Sequence, residues 1–314
     1  MPATQDTLSA FLGSEAAQST QLEPILGGAS SASLYQFSHE GQSYVLRLLA
    51  PNSSRARHHH EVGLTSAAGN LGVGPRVHFV AADESAIIYD YTPGRTLCSD
   101  DVCAAPIIER FARLLSQLHR AKVDVPAAVS PFERFRRFRQ RATEDGVPLP
   151  ESMTRAIQYM TQLEQNLPPT IARPCHLDLH AQNIILTPAG HFVLIDWVNG
   201  GLCDPAFDIA IPIAFLGLRD EQRDHFTATY QESVGEDLDL GRVEMLMPVR
   251  PFAAAAGSLC NTPLDMSPSQ LEQEMAADDL CDEGLFWVPH MARPDWPQWK
   301  WGLFLLRMGL SYLP

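Results

Sequence analysis

The chain has 314 residues, 45% hydrophobic and 19% charged, which excludes a disordered or fibrous protein and leaves room for one large or two moderate cores. Lys and Arg number 23 against 37 Asp and Glu, a formal charge of −14 that argues against a nucleic-acid partner, since such binding runs on basic side chains. Acidity suits a cationic ligand, and it equally suits a surface that only keeps the protein soluble.

In chain order, Leu34–Phe37 and Ser43–Leu49 read as strands around His39-Glu40-Gly41-Gln42, a hairpin. The polar stretch Pro51–Arg57 leads into a helix from His58 to about Asn70, punctuated by Gly72 and Gly74-Pro75. Strands follow over Val77–Ala81 and Ser85–Tyr91, and Thr92-Pro93-Gly94 breaks the pattern. The period then changes. Ile108, Phe111, Leu114, Leu115 and Leu118 recur at three- and four-residue steps, predicting an amphipathic helix over 106–122. Helical patterns recur at 131–143, 151–166, 207–217, 220–233 and 268–280. One β-like island interrupts them, with Ile184–Leu186 and Phe192–Ile195 flanking a turn at Thr187–Gly190. The expected architecture is therefore a small β-rich lobe over 1–92 and a mainly helical lobe over 93–314.

Six cysteines (Cys98, Cys103, Cys175, Cys203, Cys260, Cys281) are scattered without a C-x-x-C pair, so neither zinc nor a disulfide framework is indicated. Reduced thiols in the cytoplasm are expected. Met1–Gly13 lacks a basic-then-apolar pattern, and the apolar run Ile209–Leu218 is too short for a bilayer, so neither a signal peptide nor a membrane partner is expected.

Cys175–Ala210 is the most informative stretch. It holds His176-Leu177-Asp178, then Asn183, then a hairpin ending in Ile195-Asp196-Trp197. Phosphoryl transfer from ATP needs a carboxylate to orient an acceptor hydroxyl and take its proton, and hard oxygen ligands for Mg²⁺, all on rigid backbone. Asp178 supplies the first; Asn183 and Asp196, at the entry and exit of the hairpin, supply the second. The H-x-D-x-x-x-x-N spacing matches the catalytic-loop pattern of kinases.

His176-Leu177-Asp178-Leu179-His180-Ala181-Gln182-Asn183, Leu194-Ile195-Asp196-Trp197 and Asp204-Pro205-Ala206-Phe207-Asp208 together resemble the aminoglycoside phosphotransferase and choline kinase family. Within it, the strings are most similar to thiamine kinase and choline kinase relatives. The resemblance implies a two-lobed, protein-kinase-like α+β fold with ATP and Mg²⁺ as cofactors and a small-molecule acceptor of amino-alcohol or thiamine-like type. An aminoglycoside or macrolide kinase is the alternative in the same class, and a catalytically silent nucleotide-binding module the rival outside it. A protein kinase fits less well, because no Ala-Pro-Glu element follows Asp196.

The same resemblance assigns nucleotide-binding roles in the first lobe. Gly27-Gly28-Ala29-Ser30-Ser31 would bring backbone N–H groups of Gly27, Gly28, Ser30 and Ser31 to phosphate, although it lacks G-x-G-x-x-G spacing and an ordinary turn accounts for it equally. Arg47 would hold phosphate where many kinases use lysine, with Glu61 as its carboxylate partner; read alone, Arg47 is a strand-edge surface residue. Asp90 and Thr92 would read adenine through backbone groups, or simply end a strand. His176 is expected to shape the catalytic loop, and Asp208 either to brace that loop or to cap a helix.

Three features are discounted. Consecutive His58-His59-His60 point in different directions on a helix and do not make a metal site. Phe132, Phe135 and Phe138 amid Arg134, Arg136, Arg137, Arg139 and Arg141 read as a core stripe with a solvated basic face. Acidic residues from Glu272 to Glu283 with Trp287, Trp296, Trp299 and Trp301 suit a cationic acceptor, and also an ordinary helix and core.

Overall fold

The computed structural model describes residues 2–25, 32–51, 53–98, 101, 104–218, 220–277 and 295–313. The chain forms two compact units, the first from residues 1–97, 121–126 and 182–200, the second from 98–120, 127–181 and 201–314.

The first unit is built on a five-stranded antiparallel sheet in the order β1-β2-β3-β5-β4. Its strands are β1 (Glu23–Pro24), β2 (Ser33–His39), β3 (Gln42–Leu48), β4 (Val77–Val80) and β5 (Ala86–Asp90). The β2–β3 hairpin closes with His39 opposite Gln42, over Glu40 and Gly41 at φ 50 and 78. Positive φ at both turn residues matches the right-handed twist of the strands.

Strand periodicity then sorts the β3 side chains between two faces. Tyr44 and Leu46 join Leu8, Phe37 and Ile88 in one buried cluster. Leu8 lies on helix α1 (Pro2–Leu12), whose Phe11 ring meets Phe37 and Tyr44 edge-on. On the other face Leu49 and Ile87 pack with Val62 of helix α3 (Arg55–Asn70); the short helix α2 (Ser14–Ser19) follows α1. Helix α3 starts three residues before the predicted His58. Ser54 caps it, its side chain accepting from the Arg57 N–H.

The predicted island is observed as β8 (Ile184–Leu186) and β9 (Phe192–Leu194), joined by the short strand β6 (Arg95–Thr96) in a three-stranded sheet of the first unit. The Leu194 N–H donates to the Val73 carbonyl at 2.8 Å, tying the hairpin to the segment after α3.

The second unit is mainly helical: α4 (Ala105–Arg120), α5 (Pro131–Glu144), α6 (Met153–Asn166), α7 (Ala206–Phe215), α8 (Asp220–Val234), α9 (Leu240–Leu246), α10 (Val249–Leu259), α11 (Pro268–Met275) and α12 (Gln298–Ser311). Strands β7 (Arg173–Cys175) and β10 (Gly201–Cys203) pair antiparallel within it. Helix α7 is buried from Ala206 to Ala214, which makes it the centre of this core. Phe111 of α4 stacks on Phe226 of α8 at 5.8 Å. Helices α1, α2, α9, α10 and α12 are additions to the predicted pattern, and the helix predicted to Leu280 ends at Met275 among the described residues.

Phe132 and Phe135 are buried, whereas Arg136, Arg137 and Arg141 pair on the surface with Glu164, Glu133 and Asp145. The core-stripe reading of α5 holds. Trp296, Trp301 and Phe304 pack on one another, and Lys300 Nζ lies 5.4 Å from the centre of the Trp296 ring. Among the described residues no helix is long and apolar enough to cross a membrane.

Gly94 allows β6 to meet β8. It has φ 154, and a Cβ added there would fall 2.5 Å from the Leu186 carbonyl oxygen. Gly94→Ala is expected to lower stability by roughly 1–3 kcal/mol, read as a fall in the urea midpoint at unchanged m.

Candidate active site

Two groups of polar side chains stand out from these cores, one in each unit. In the first unit, strand alternation turns Arg47 of β3 toward α3, and helical spacing aligns His58, Glu61, Thr65 and Ala68 on the buried face of α3. Arg47 Nε donates to Glu61 Oε1 at 2.7 Å, and Nη2 donates to Asp196 Oδ1 at 2.9 Å. Arg47 is only 6% exposed in a central strand, so it is no surface arginine. Burial by itself would weaken the guanidinium's hold on its proton; Asp196 first, then Glu61, reverse this and raise its pKa above the ordinary value. Tyr89 lines the same small cavity with Thr65 and Trp197, and burial pushes its hydroxyl up to about 12.

The hairpin ends come together as a zipped pair. The Ile195 N–H donates to the Asn183 carbonyl at 3.0 Å, which places Asn183 beside the residue preceding Asp196. Asp196 itself takes left-handed backbone at φ 64, and its side chain is 25% exposed. A carboxylate and a carboxamide thus stand on neighbouring backbone positions, and both side chains carry hard oxygen atoms that could serve a divalent cation.

In the second unit the pair β7–β10 anchors the start of the loop that carries His176 and Asp178. Asp208, wholly buried in the first turn of α7, accepts from the His176 N–H at 2.6 Å and the Leu177 N–H at 2.7 Å. It therefore braces the loop, and the N-cap position of α7 belongs to Pro205, not to Asp208. Asp204 accepts from the Ala206 N–H and pairs with Arg242 at 2.7 Å. His119 Nε2 lies 3.3 Å from Asp208 Oδ2, the oxygen that also accepts from the His176 N–H, and its other ring nitrogen meets the Tyr230 hydroxyl at 2.7 Å.

Cys175 completes a cluster with His119 and Asp208 whose ligand atoms lie within 4.8 Å of one another. Burial, with Asp208 next, pushes its thiol well up, and Sγ donates to the Arg173 and Cys203 carbonyls. A protonated thiol and a carboxylate engaged by backbone N–H groups make a hydrogen-bonded core rather than a thiolate metal site.

His176 Nδ1 accepts from the Asp178 N–H at 3.3 Å, the loop-shaping role expected of it. Asp178 Oδ1 meets Arg250 Nη2 at 2.5 Å and lies 3.7 Å from His180 Nε2. Arg250 was not singled out in the sequence; an isolated Arg far downstream carries no spacing signal.

The remaining predicted residues divide. Gly27, Gly28, Ser30 and Ser31 lie outside the described residues. The Asp90 N–H donates to the Arg76 carbonyl at 3.0 Å and its carboxylate pairs with His78 at 2.6 Å, so this backbone donor is already engaged; Thr92 follows the sheet in irregular chain. The three histidines bind three separate partners, namely the Ala50 carbonyl, Glu84 and the Gly200 carbonyl.

A β-rich unit with a buried Arg–Glu pair and a helical unit with a braced H-x-D loop define a kinase-like phosphotransferase. Residues 21–246 match the phosphotransferase enzyme family, and the chain belongs to that family. The protein LicA of Haemophilus influenzae is 26% identical over 194 residues, covering 60% of this chain and 72% of that protein. A second LicA protein of that species matches over 57% of its own length. In fold, the chain is similar to a choline/ethanolamine kinase family protein from Mesorhizobium loti, at TM-score 0.67 and 17% identity over 98% of this chain and 99% of that one. The choline kinase LicA from Streptococcus pneumoniae gives 0.66 and 16%, over 98% of each chain.

Asp208 is the brace of the loop, and the cost of removing it follows from its partners. Asp208→Ala leaves two buried N–H groups without their carboxylate, and is expected to lower stability by roughly 2–4 kcal/mol in chemical denaturation.

Proposed function

We propose that the protein transfers the γ-phosphoryl group of ATP to a hydroxyl of a small amino alcohol or thiamine-like cation, with Asp178 as the base. The observation that carries this reading is the buried, braced Asp178 in a loop held by Asp208. Asp178 orients the acceptor hydroxyl and takes its proton. Asn183 and Asp196 are the residues that would hold Mg²⁺, which when bound neutralises charge on the phosphates. Arg47, fixed by Glu61, offers its guanidinium to phosphate oxygens. The first unit is assigned to nucleotide and the second to the acceptor.

Support for a cationic acceptor comes from the charge of −14 and from the choline and ethanolamine kinases among the similar proteins. A cytoplasmic setting is the reading that ATP as donor and unbridged cysteines at positions 175, 203 and 260 support. An aminoglycoside or macrolide acceptor is the competing reading of the same charge.

The direct experiment measures acceptor-stimulated ADP formation with choline, ethanolamine, thiamine, homoserine and kanamycin. Turnover with the first three supports the proposal, and turnover with kanamycin alone replaces it. Asp178→Asn is expected to lose roughly 10²–10⁴-fold in kcat while still binding nucleotide. Asp196→Ala is expected to remove Mg²⁺-dependent nucleotide affinity, measured by calorimetry with and without the metal. Wild-type turnover in Asp178→Asn would show that another group takes the proton.

A further inference from the structure

Asp178 is met by a cation whose placement is set by its own helix. Arg250 is the second residue of α10, between Val249 and Pro251, and all of Val249, Pro251 and Phe252 are buried. The backbone carrying Arg250 is thus anchored in the core. Its Nη2 reaches Asp178 Oδ1 at 2.5 Å, with the two side chains 18% and 11% exposed. The Phe215 ring, at the C-terminal end of α7, lies 6.0 Å from the guanidinium carbon. An aromatic face and a carboxylate therefore hold the guanidinium from two directions.

A carboxylate this buried needs a compensating partner to stay charged. The groups facing Asp178 are Arg250 from α10 and, from its own loop, His180 at 3.7 Å and His176 through the Asp178 N–H. Arg250 makes the closest of these ion pairs and is cationic at every working pH, whereas the histidines are charged only when protonated.

We infer that Arg250 is a positioning residue for phosphoryl transfer, holding the Asp178 carboxylate ionised and in one orientation. The inference rests on the reading of Asp178 as the base. Burial alone would raise the Asp178 carboxyl; Arg250 chiefly, then His180 and His176, overturn this and hold it well below the usual carboxylate range. A base so weakened suits a reaction in which positioning and charge stabilisation carry most of the rate. The proton moves from the acceptor hydroxyl to Asp178 as the acceptor oxygen bonds to phosphorus and the bond from phosphorus to the ADP oxygen breaks. Arg250 exchanges no proton in that step.

The test compares wild type with Arg250→Ala and Arg250→Lys by two readouts. The first is a ¹³C NMR titration of the Asp178 carboxyl, assigned by its loss in Asp178→Asn. The second is the pH dependence of kcat and KM for the acceptor that supports turnover. Wild type should keep Asp178 ionised across the folded range, with no acid limb from this group. Arg250→Ala should move the titration midpoint upward and bring an acid limb of kcat/KM to matching pH. Its kcat should fall by roughly 10²-fold with acceptor KM little changed. Arg250→Lys should lie between the two, and it carries both readouts if Arg250→Ala does not fold. An unchanged Asp178 titration in the variants overturns the inference, as does an unshifted pH profile with full kcat. If no acceptor supports turnover in wild type, the acceptor reading fails, and the NMR midpoint alone still decides the role of Arg250.

Discussion

Two backbone N–H groups donating to one wholly buried carboxylate set the course of the loop that carries Asp178. Leu177, between His176 and Asp178, has φ 62 and is 2% exposed, a backbone state that a bulky L-residue adopts only under constraint. Left-handed backbone costs about 1–2 kcal/mol per residue. Hydrogen bonds to a charged acceptor contribute about 1.5–3 kcal/mol each, so the two made by Asp208 outweigh that cost. Asp208 can supply them because α7 is buried along its length and because His119, oriented by Tyr230, meets its Oδ2 as well. The order of dependence therefore runs from helix burial to carboxylate, from carboxylate to loop, and from loop to Asp178.

The first unit solves a different electrostatic problem. One guanidinium sits between Glu61 and Asp196, so the cluster carries one positive and two negative charges in a largely desolvated setting. Removing Arg47 would leave two carboxylates without their cation, which is far more costly than the net worth of the ion pairs suggests. Lysine would not reproduce the arrangement, because Nε and Nη2 project from one planar fork toward two different partners. A carboxylate offers about four lone-pair sites, so the pairing of Asp196 Oδ1 with Arg47 leaves capacity on the same side chain for a second cation.

Legibility in the sequence followed the range of the signal. The H-x-D-x-x-x-x-N string and the hairpin to Asp196 were readable because loop and ribbon lie within a few residues of each other. Arg47 and Glu61 were found as a pair, but the contact with Asp196 was not, since strand periodicity says which face Arg47 takes and not what arrives there from residue 196. Asp208 was narrowed to brace or cap, and only the buried N–H donors decided between them. Arg250 was missed for a local reason. Pro248 and Pro251 flank it in a stretch for which no helix is expected, yet proline is tolerated in a first helical turn, where its missing donor has no partner to lose. The Ala-rich run that follows has weak periodicity because α10 is buried on several sides by α5 and α12. Gly309 of α12 faces Phe252 so closely that an added Cβ would fall 2.5 Å from its ring.

The acceptor question turns on how much negative charge and aromatic surface the second unit leaves unneutralised. Asp178 and Arg250 form a neutral pair, and the Trp296 ring already has Lys300 against it, itself 3.6 Å from Glu274. Among the described residues, then, the Trp296 cluster is a packed core whose cation is supplied by the chain, not an empty aromatic cage. A cationic acceptor would therefore have to be recognised by carboxylates of the unit other than Asp178, whose charge Arg250 already meets.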